Sequence, residues 1–150
     1  MRLLAPSDPR QLDTGVAIVR IITGIIFIAH GAQKVFVFGI GGTTQFFTQV
    51  GAPLPGVTAP LVATLELVGG VALVIGLLTR LVALGLALEM LGAILLVHMA
   101  NGFFVGGNGV EFVLLLMVNA LALFVAGPGA WSLDGAIGRR RFVGHPAGRR

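Results

Sequence analysis

Four long apolar segments dominate this chain, and each is close to the roughly 20 residues that an α-helix needs to cross a bilayer. Hydrophobic residues make up 56% of the sequence and charged residues only 11%, whereas a soluble domain has about a quarter of its residues charged. The sequence therefore predicts an all-α membrane protein, a bundle of four transmembrane helices. The predicted spans are residues 13–36, 58–78, 81–99 and 110–126.

Basic residues fall mainly on one side of the predicted bundle. Cytoplasmic segments carry an excess of lysine and arginine, and the opposite side holds only Lys34. We therefore expect both termini to be cytoplasmic, with a polar tail at 1–12, a membrane domain at 13–134 and a basic tail at 135–150. The basic tail is expected to attract anionic lipids and not nucleic acid, because nothing in the sequence predicts a nucleic-acid-binding fold. The residues on the basic side are Arg2, Arg10, Arg80, Arg139, Arg140, Arg141, Arg149 and Arg150.

The connections between the predicted spans differ in length. Between the first two, Phe46 and Phe47 lie in a stretch bounded by glycines and prolines. This pattern predicts a short helix over residues 43–50 that lies in the membrane interface and does not form a fifth span. Only Thr79 and Arg80 connect the second and third spans, so these two helices must pack antiparallel.

A short pattern occurs twice along the chain. The segments His30–Val37 and His98–Val105 both fit His-x-Ala-Gln/Asn-x-x-Phe-Val, and Gly24 and Gly92 precede the two histidines by the same number of residues. We interpret this as an internal duplication. The duplication predicts that the first two spans are related to the last two by a parallel repeat, with an axis along the membrane normal.

Ionisable side chains fall inside the predicted spans, where each costs roughly 2.5 to 3.5 kcal/mol on insertion scales. Counted from the assumed membrane boundaries at about 1.5 Å per residue, three of them and one asparagine lie at similar depth. We predict a buried polar network in which Arg20 compensates one or both carboxylates. At this point we give equal weight to two interpretations of these charges, a purely structural network and a proton or ligand role. The predicted network comprises Arg20, Glu66, Glu89 and Asn119.

A second polar group lies near the side opposite the basic tail and is a candidate ligand site. Its two histidines are expected at nearly the same height. Four interpretations remain open: histidines that only hydrogen-bond loops, which we favour; a quinone or another small ligand; a bis-histidine haem; and a metal site. Metal ranks last because no third ligand has the usual spacing, and the absence of cysteine excludes thiolate sites. The candidate residues are His30, Gln33, Lys34, His98, Asn101 and Glu111.

At these residues the chain resembles the DoxX family of small bacterial membrane proteins with four helices, over about residues 15–134. Taken together, the motifs that carry the resemblance are specific to the family. One departure is Val35–Gly39, where the family more often has an aromatic-glycine pair soon after the lysine. The motifs are His30–Phe36, Glu66 with Gly69 and Gly70, Gly76–Arg80, His98, Asn101–Phe104, Glu111 and Gly127–Asp134.

The resemblance implies a location in the bacterial inner membrane and a link to membrane redox systems. A related subunit belongs to a thiosulfate:quinone oxidoreductase, and other members resemble assembly partners of oxidative-stress and sulfur enzymes. It implies a non-catalytic accessory or scaffold subunit, with quinone as the cofactor it suggests. The alternatives are a quinone-reducing enzyme subunit and a small-molecule or proton-linked transporter that uses Glu66 and Glu89. The expected partners are lipid, a redox-enzyme subunit and a second copy of the chain.

Overall fold

The structure, a computed structural model, describes residues 8–143 of the chain. The first part of the predicted N-terminal tail and the end of the basic tail, including Arg149 and Arg150, lie outside these residues. Helices and their connections make up the whole of the described range, with no β-strand within it. The all-α prediction is confirmed.

Six helices of more than two turns follow one another along the described chain, and a short 3-10 helix, Val105–Gly107, lies between the fourth and the fifth. Three of them, α1, α3 and α4, are long and apolar enough to cross a membrane. Helix α5 is apolar but has 16 residues, about 24 Å at 1.5 Å per residue, which is shorter than the roughly 30 Å of a bilayer core. The helices are α1 (Pro9–Val37), α2 (Gly39–Gln49), α3 (Pro55–Ile75), α4 (Thr79–Asn101), α5 (Glu111–Ala126) and α6 (Leu133–Val143).

Helix α1 begins four residues before the predicted span, because a capping box forms at Asp8. The Asp8 side chain accepts a hydrogen bond from the Arg10 N–H at 3.0 Å, and the Gln11 side chain accepts one from the Asp8 N–H at 3.2 Å. Pro9 occupies the first turn of the helix, where its missing N–H costs nothing. These polar residues therefore extend the helix beyond its apolar segment.

Helices α1 and α3 pack antiparallel at very short range through glycine. A Cβ atom on Gly24 would lie 2.7 Å from the Gly70 carbonyl oxygen, and one on Gly31 would lie 2.8 Å from the Cα of Leu67. Small residues allow such close approach between membrane helices, where lipid supplies no hydrophobic drive for association. The register of α1 against α3 is thus set over two turns of each helix.

The other helices complete the bundle around one apolar core. Helix α5 packs against both α4 and α1, and α3 packs against α4. Because α3 runs antiparallel to α1 and to α4, helices α1 and α4 point the same way, as a parallel repeat requires. The largest fully buried apolar side chains of the core are Phe27, Leu73, Leu86 and Leu123.

Helix α2 follows α1 after a turn at Gly39, whose φ of +69° is accessible mainly to glycine. It packs against the beginning of α3. The Thr43 hydroxyl lies 3.1 Å from the Lys34 carbonyl oxygen and 3.0 Å from that of Gly39, which ties α2 to the end of α1. This helix begins before the predicted range of 43–50, because Gly41 and Gly42 adopt helical geometry.

Candidate functional site

Arg20 is completely buried and binds backbone carbonyl groups at one end of the bundle. One guanidinium nitrogen, Nη1, donates to the carbonyl oxygens of Leu73 and Val74. The other, Nη2, donates to those of Ala130 and Trp131, both at 3.1 Å. Arg20 therefore joins the end of α3 to the loop that follows α5.

The prediction that Arg20 compensates Glu66 or Glu89 is wrong. The last carbonyl groups of a helix have no partner within the helix, and Leu73 and Val74 belong to the last turn of α3. A guanidinium group offers five N–H donors in a fixed plane, so it can satisfy several of these carbonyls together. Backbone acceptors thus take the place that the sequence analysis gave to a carboxylate.

Asp134 completes this end of the bundle by capping α4. Its carboxylate accepts hydrogen bonds from the N–H groups of Leu78 and Thr79, both at 2.9 Å, and its own N–H donates to the Gly76 carbonyl. Gly76 has a φ of +71°, and a Cβ atom there would lie 2.5 Å from the Cβ of Ser132. We call Arg20, Gly76, Asp134 and the loop 127–132 the Arg20 cluster.

The electrostatics of Asp134 follow from these contacts. Partial burial alone would raise the pKa of its carboxyl group. The hydrogen bonds from the N–H groups of Thr79 and Leu78 and the nearby Arg20 charge outweigh burial, so the pKa lies below its ordinary value. Asp134 is therefore ionised as it caps the N-terminus of α4, where a negative charge is favourable.

Lys34, Glu66 and Glu89, which we call the membrane triad, meet in the half of the bundle away from Arg20. The Lys34 Nζ atom lies 2.5 Å from Glu66 Oε2, with side-chain exposures of 21% and 3%. The Glu89 carboxyl group lies within hydrogen-bonding distance of the Glu66 carboxyl. Its Oε2 atom is buried and contacts no hydrogen-bond donor within residues 8–143. The structure thus unites one residue of the predicted ligand site with two of the predicted network.

Irregular helix geometry accompanies the candidate residues. Lys34 lies in a π-helical turn over Gln33–Val37, and Glu66 lies in another over Leu65–Gly69. A third, Ile94–His98, ends at His98. Such turns are rare and occur frequently at functional sites. The apolar pattern of the sequence predicts regular helices and gives no signal for these turns.

The two histidines have different partners. His30 Nδ1 lies 2.9 Å from the Ile26 carbonyl oxygen of its own helix, and its ring packs 5.9 Å from that of Phe112 on α5. His98 Nδ1 lies 2.8 Å from the Asn108 carbonyl oxygen in the loop between α4 and α5. The structure therefore places His30 between two helices and His98 against a loop.

Asn101 and Glu111 fasten the same loop. The Asn101 side-chain amide donates to the Val97 carbonyl at 2.9 Å, and Glu111 Oε2 accepts from the Val105 N–H at 2.9 Å. Within the described part of the chain, no group of three or more histidine, cysteine or acidic side chains could hold a metal ion.

Gln33 and Asn119 stand apart from both clusters. Gln33 is exposed and borders, with His30 and Phe36, a shallow recess formed by α1 alone. Asn119 on α5 is partly exposed. The structure therefore does not bring Asn119 into the predicted network with Arg20.

Comparison with known proteins assigns the family. Residues 15–99 match the family model described as DoxX. The chain belongs to the DoxX family. The match covers most of α1, all of α2 and α3 and nearly all of α4, and so it includes Arg20 and the whole membrane triad. Asn101, Glu111 and Asp134 follow the matched region.

Relatives of this DoxX protein occur in distant bacteria. The chain is 39% identical over 125 residues to a Bacillus subtilis protein named "Putative oxidoreductase CatD", covering 83% of this chain and 88% of the relative. It is 37% identical over 130 residues to the inner membrane protein YqjF of Escherichia coli, covering 85% and 95%. An uncharacterized membrane protein of Mycobacterium tuberculosis is 31% identical over 150 residues, covering 91% of each chain. No solved structure gives a significant match.

Two features of this DoxX chain were missed by the sequence analysis. One is the role of Asp134, although Gly127–Asp134 is among the motifs that carry the resemblance. The other is the contact between Lys34 and Glu66. The positions of these residues along their helices predict different depths in the membrane. A lysine side chain can extend along apolar surface toward a partner several ångströms away. Depth counted from backbone positions therefore separated two residues that touch.

Proposed function

We propose that this DoxX protein is a non-catalytic accessory or scaffold subunit of a membrane redox complex with quinone-linked, sulfur or oxidative-stress chemistry. The observation that carries the proposal is that the bundle uses its buried charges for internal contacts. Arg20 holds four carbonyl groups of two segments, and Lys34 holds Glu66. Such contacts suit a rigid membrane frame for another subunit. The oxidoreductase name of the Bacillus subtilis relative supports the redox assignment.

The proposal includes four membrane spans, with α5 as the fourth, in a bacterial inner membrane. It places residues 1–12 and 135–150 in the cytoplasm as tails and 13–134 in the membrane. Exposed Arg80 lies beside the Arg20 cluster, whereas Lys34 lies toward the opposite end, which agrees with cytoplasmic basic residues. Helix α2 then lies in the interface on the other side.

This topology has a direct test because the chain has no cysteine. Single cysteines are introduced at Gln45 and Ala136, which are both exposed. Intact cells and broken cells are then treated with a membrane-impermeant maleimide. We expect Gln45→Cys to react in both and Ala136→Cys only in broken cells. Reaction of Ala136→Cys in intact cells would contradict cytoplasmic termini.

The accessory role is tested on complexes released gently from their own membrane. Native mass spectrometry is expected to show a redox-enzyme partner chain, with phospholipid and a second copy of the DoxX chain as further associates. The isolated DoxX chain is expected not to reduce a quinone analogue with thiosulfate, while the complex does. A chain that retains quinone and reduces it alone would overturn the scaffold proposal in favour of a quinone-reducing subunit.

A further inference from the structure

The membrane triad contains more acid than base. It has two carboxyl groups and one amino group, so it would carry a net negative charge if all three groups were ionised. Glu66 is only 3% exposed and the Glu89 Oε2 atom is buried. An uncompensated charge in such a setting is costly. One proton on the carboxyl pair makes the triad neutral.

The hydrogen bonds within the triad also require one proton on the carboxyl pair. Glu66 accepts from Lys34 at 2.5 Å, and the Glu89 carboxyl lies within hydrogen-bonding distance of Glu66. Two ionised carboxylates are both acceptors only, so a hydrogen bond between them requires a proton. Closely placed carboxyl groups share a proton in this way because both cannot ionise together.

Other ionisable groups on α1 and α5 have partners outside the triad. On α1, Arg20 binds carbonyl groups at the other end of the bundle. His30 lies against Ile26 and Phe112. Near the start of α5, Glu111 accepts from the loop N–H of Val105. Among the described residues, Lys34 is thus the cation that faces the carboxyl pair.

We propose that Glu66 and Glu89 form a proton-binding site in the membrane, in which the pair holds one exchangeable proton at neutral pH and Lys34 is the counter-ion. The ligand is H⁺, taken up from water and returned to it without electron transfer. The site is independent of the accessory role, which neither requires it nor follows from it.

Protons reach this site from one end of the bundle. Lys34 has 21% of its side chain exposed and lies in the last turn of α1, next to α2. Toward the Arg20 cluster, the core side chains of Phe27, Leu73 and Leu86 are all at most 1% exposed. This apolar layer interrupts any chain of polar groups across the bundle. The proton therefore exchanges through the Lys34 end.

Infrared spectroscopy of the whole protein in lipid nanodiscs tests the proposal. A protonated carboxyl group has a C=O band distinct from that of a carboxylate, and the chain has only six acidic side chains. At neutral pH we expect one such band, which shifts in heavy water because the proton exchanges. Absence of the band at neutral pH would overturn the proposal without any variant.

Substitutions then assign the band. In Glu89→Gln the remaining Glu66 pairs with Lys34 as a carboxylate, so the band is expected to vanish. In Lys34→Met both carboxyls need protons, and the band is expected to double. The matched control is Glu111→Gln, outside the triad, which leaves the band unchanged. A band that survives Glu89→Gln, or that Lys34→Met fails to strengthen, would refute the shared proton or the counter-ion role respectively.

Discussion

The two charged clusters of this bundle use their cations in different ways. In the Arg20 cluster, the guanidinium group donates its hydrogen bonds to backbone carbonyls, and these belong to α3 and to the loop after α5. In the membrane triad, Lys34 contacts a carboxylate that faces a second carboxyl group. Carbonyl groups do not titrate, whereas carboxyl groups do. The contacts of the Arg20 guanidinium group therefore fix geometry at any pH, whereas the partners of Lys34 can change their charge state.

The largest effect is expected when the Arg20 cluster is broken. Arg20→Met removes four hydrogen bonds to buried or partly buried carbonyl groups, and a hydrogen bond to a charged group contributes about 1.5–3 kcal/mol. We expect the free energy of unfolding to fall by about 4 kcal/mol or more, with a marked drop in the midpoint of thermal unfolding in detergent.

Arg10→Met is the matched control for this change, because Arg10 is exposed on the same helix. Its thermal midpoint is expected to stay near that of the wild type. Equal midpoints for Arg20→Met and Arg10→Met would show that the four carbonyl contacts do not stabilise the bundle.

The next effect comes from separating the helices that carry the triad. A side chain at Gly31 would collide with the backbone of Leu67, the neighbour of Glu66. Overpacking of this kind costs typically about 1–3 kcal/mol. Gly31→Val is therefore expected to lower the thermal midpoint. Gly92→Val is the control, since nothing lies within 4 Å of a Cβ atom there; a similar loss in both variants would argue against close α1–α3 packing.

A smaller effect measures the ion pair itself. A double-mutant cycle of Lys34→Met and Glu66→Gln is expected to give a coupling energy of about 1–2 kcal/mol, within the range for residues in contact. The readout is the midpoint of thermal unfolding of the four proteins. Additive effects would mean that the two side chains do not interact in the folded protein.

The smallest effect concerns Asp134. Asp134→Ala removes the cap of α4 and is expected to cost roughly 1 kcal/mol. Because the folded-state pKa lies below the ordinary value, ionised Asp134 stabilises the fold above the unfolded pKa of about 3.9. This stability is lost as pH falls through the folded pKa. Thermal midpoints of the wild type and the variant should therefore converge at acid pH; a constant gap would contradict this linkage.

Apolar periodicity and length made the helical architecture predictable from the sequence. The long apolar segments indicated membrane helices because backbone groups in lipid must bond within their own segment. Glycine and proline marked the connections. The structure extends α1 to Pro9 through the Asp8 capping box, which lies outside the apolar segment.

The partners of the buried charges were not predictable in the same way. Arg20 binds carbonyl groups, which every residue has, so the residue pattern does not show which of them it binds. Lys34 and Glu66 were separated by a depth count that ignored the length of the lysine side chain. His98, Asn101 and Glu111 do lie in one region, as predicted. Each of them, however, binds the backbone of the loop or of its own helix. Their proposed ligand role stays a prediction.

The π-helical turn at Leu65–Gly69 has a consequence for comparing DoxX sequences. A wider turn holds about one more residue than an α-helical turn, and one residue corresponds to roughly 100° of rotation. The apolar pattern of α3 therefore changes phase at Glu66. A relative that closes this turn into a regular helix would lack one residue there, so single-residue gaps in an alignment of the family belong at such turns.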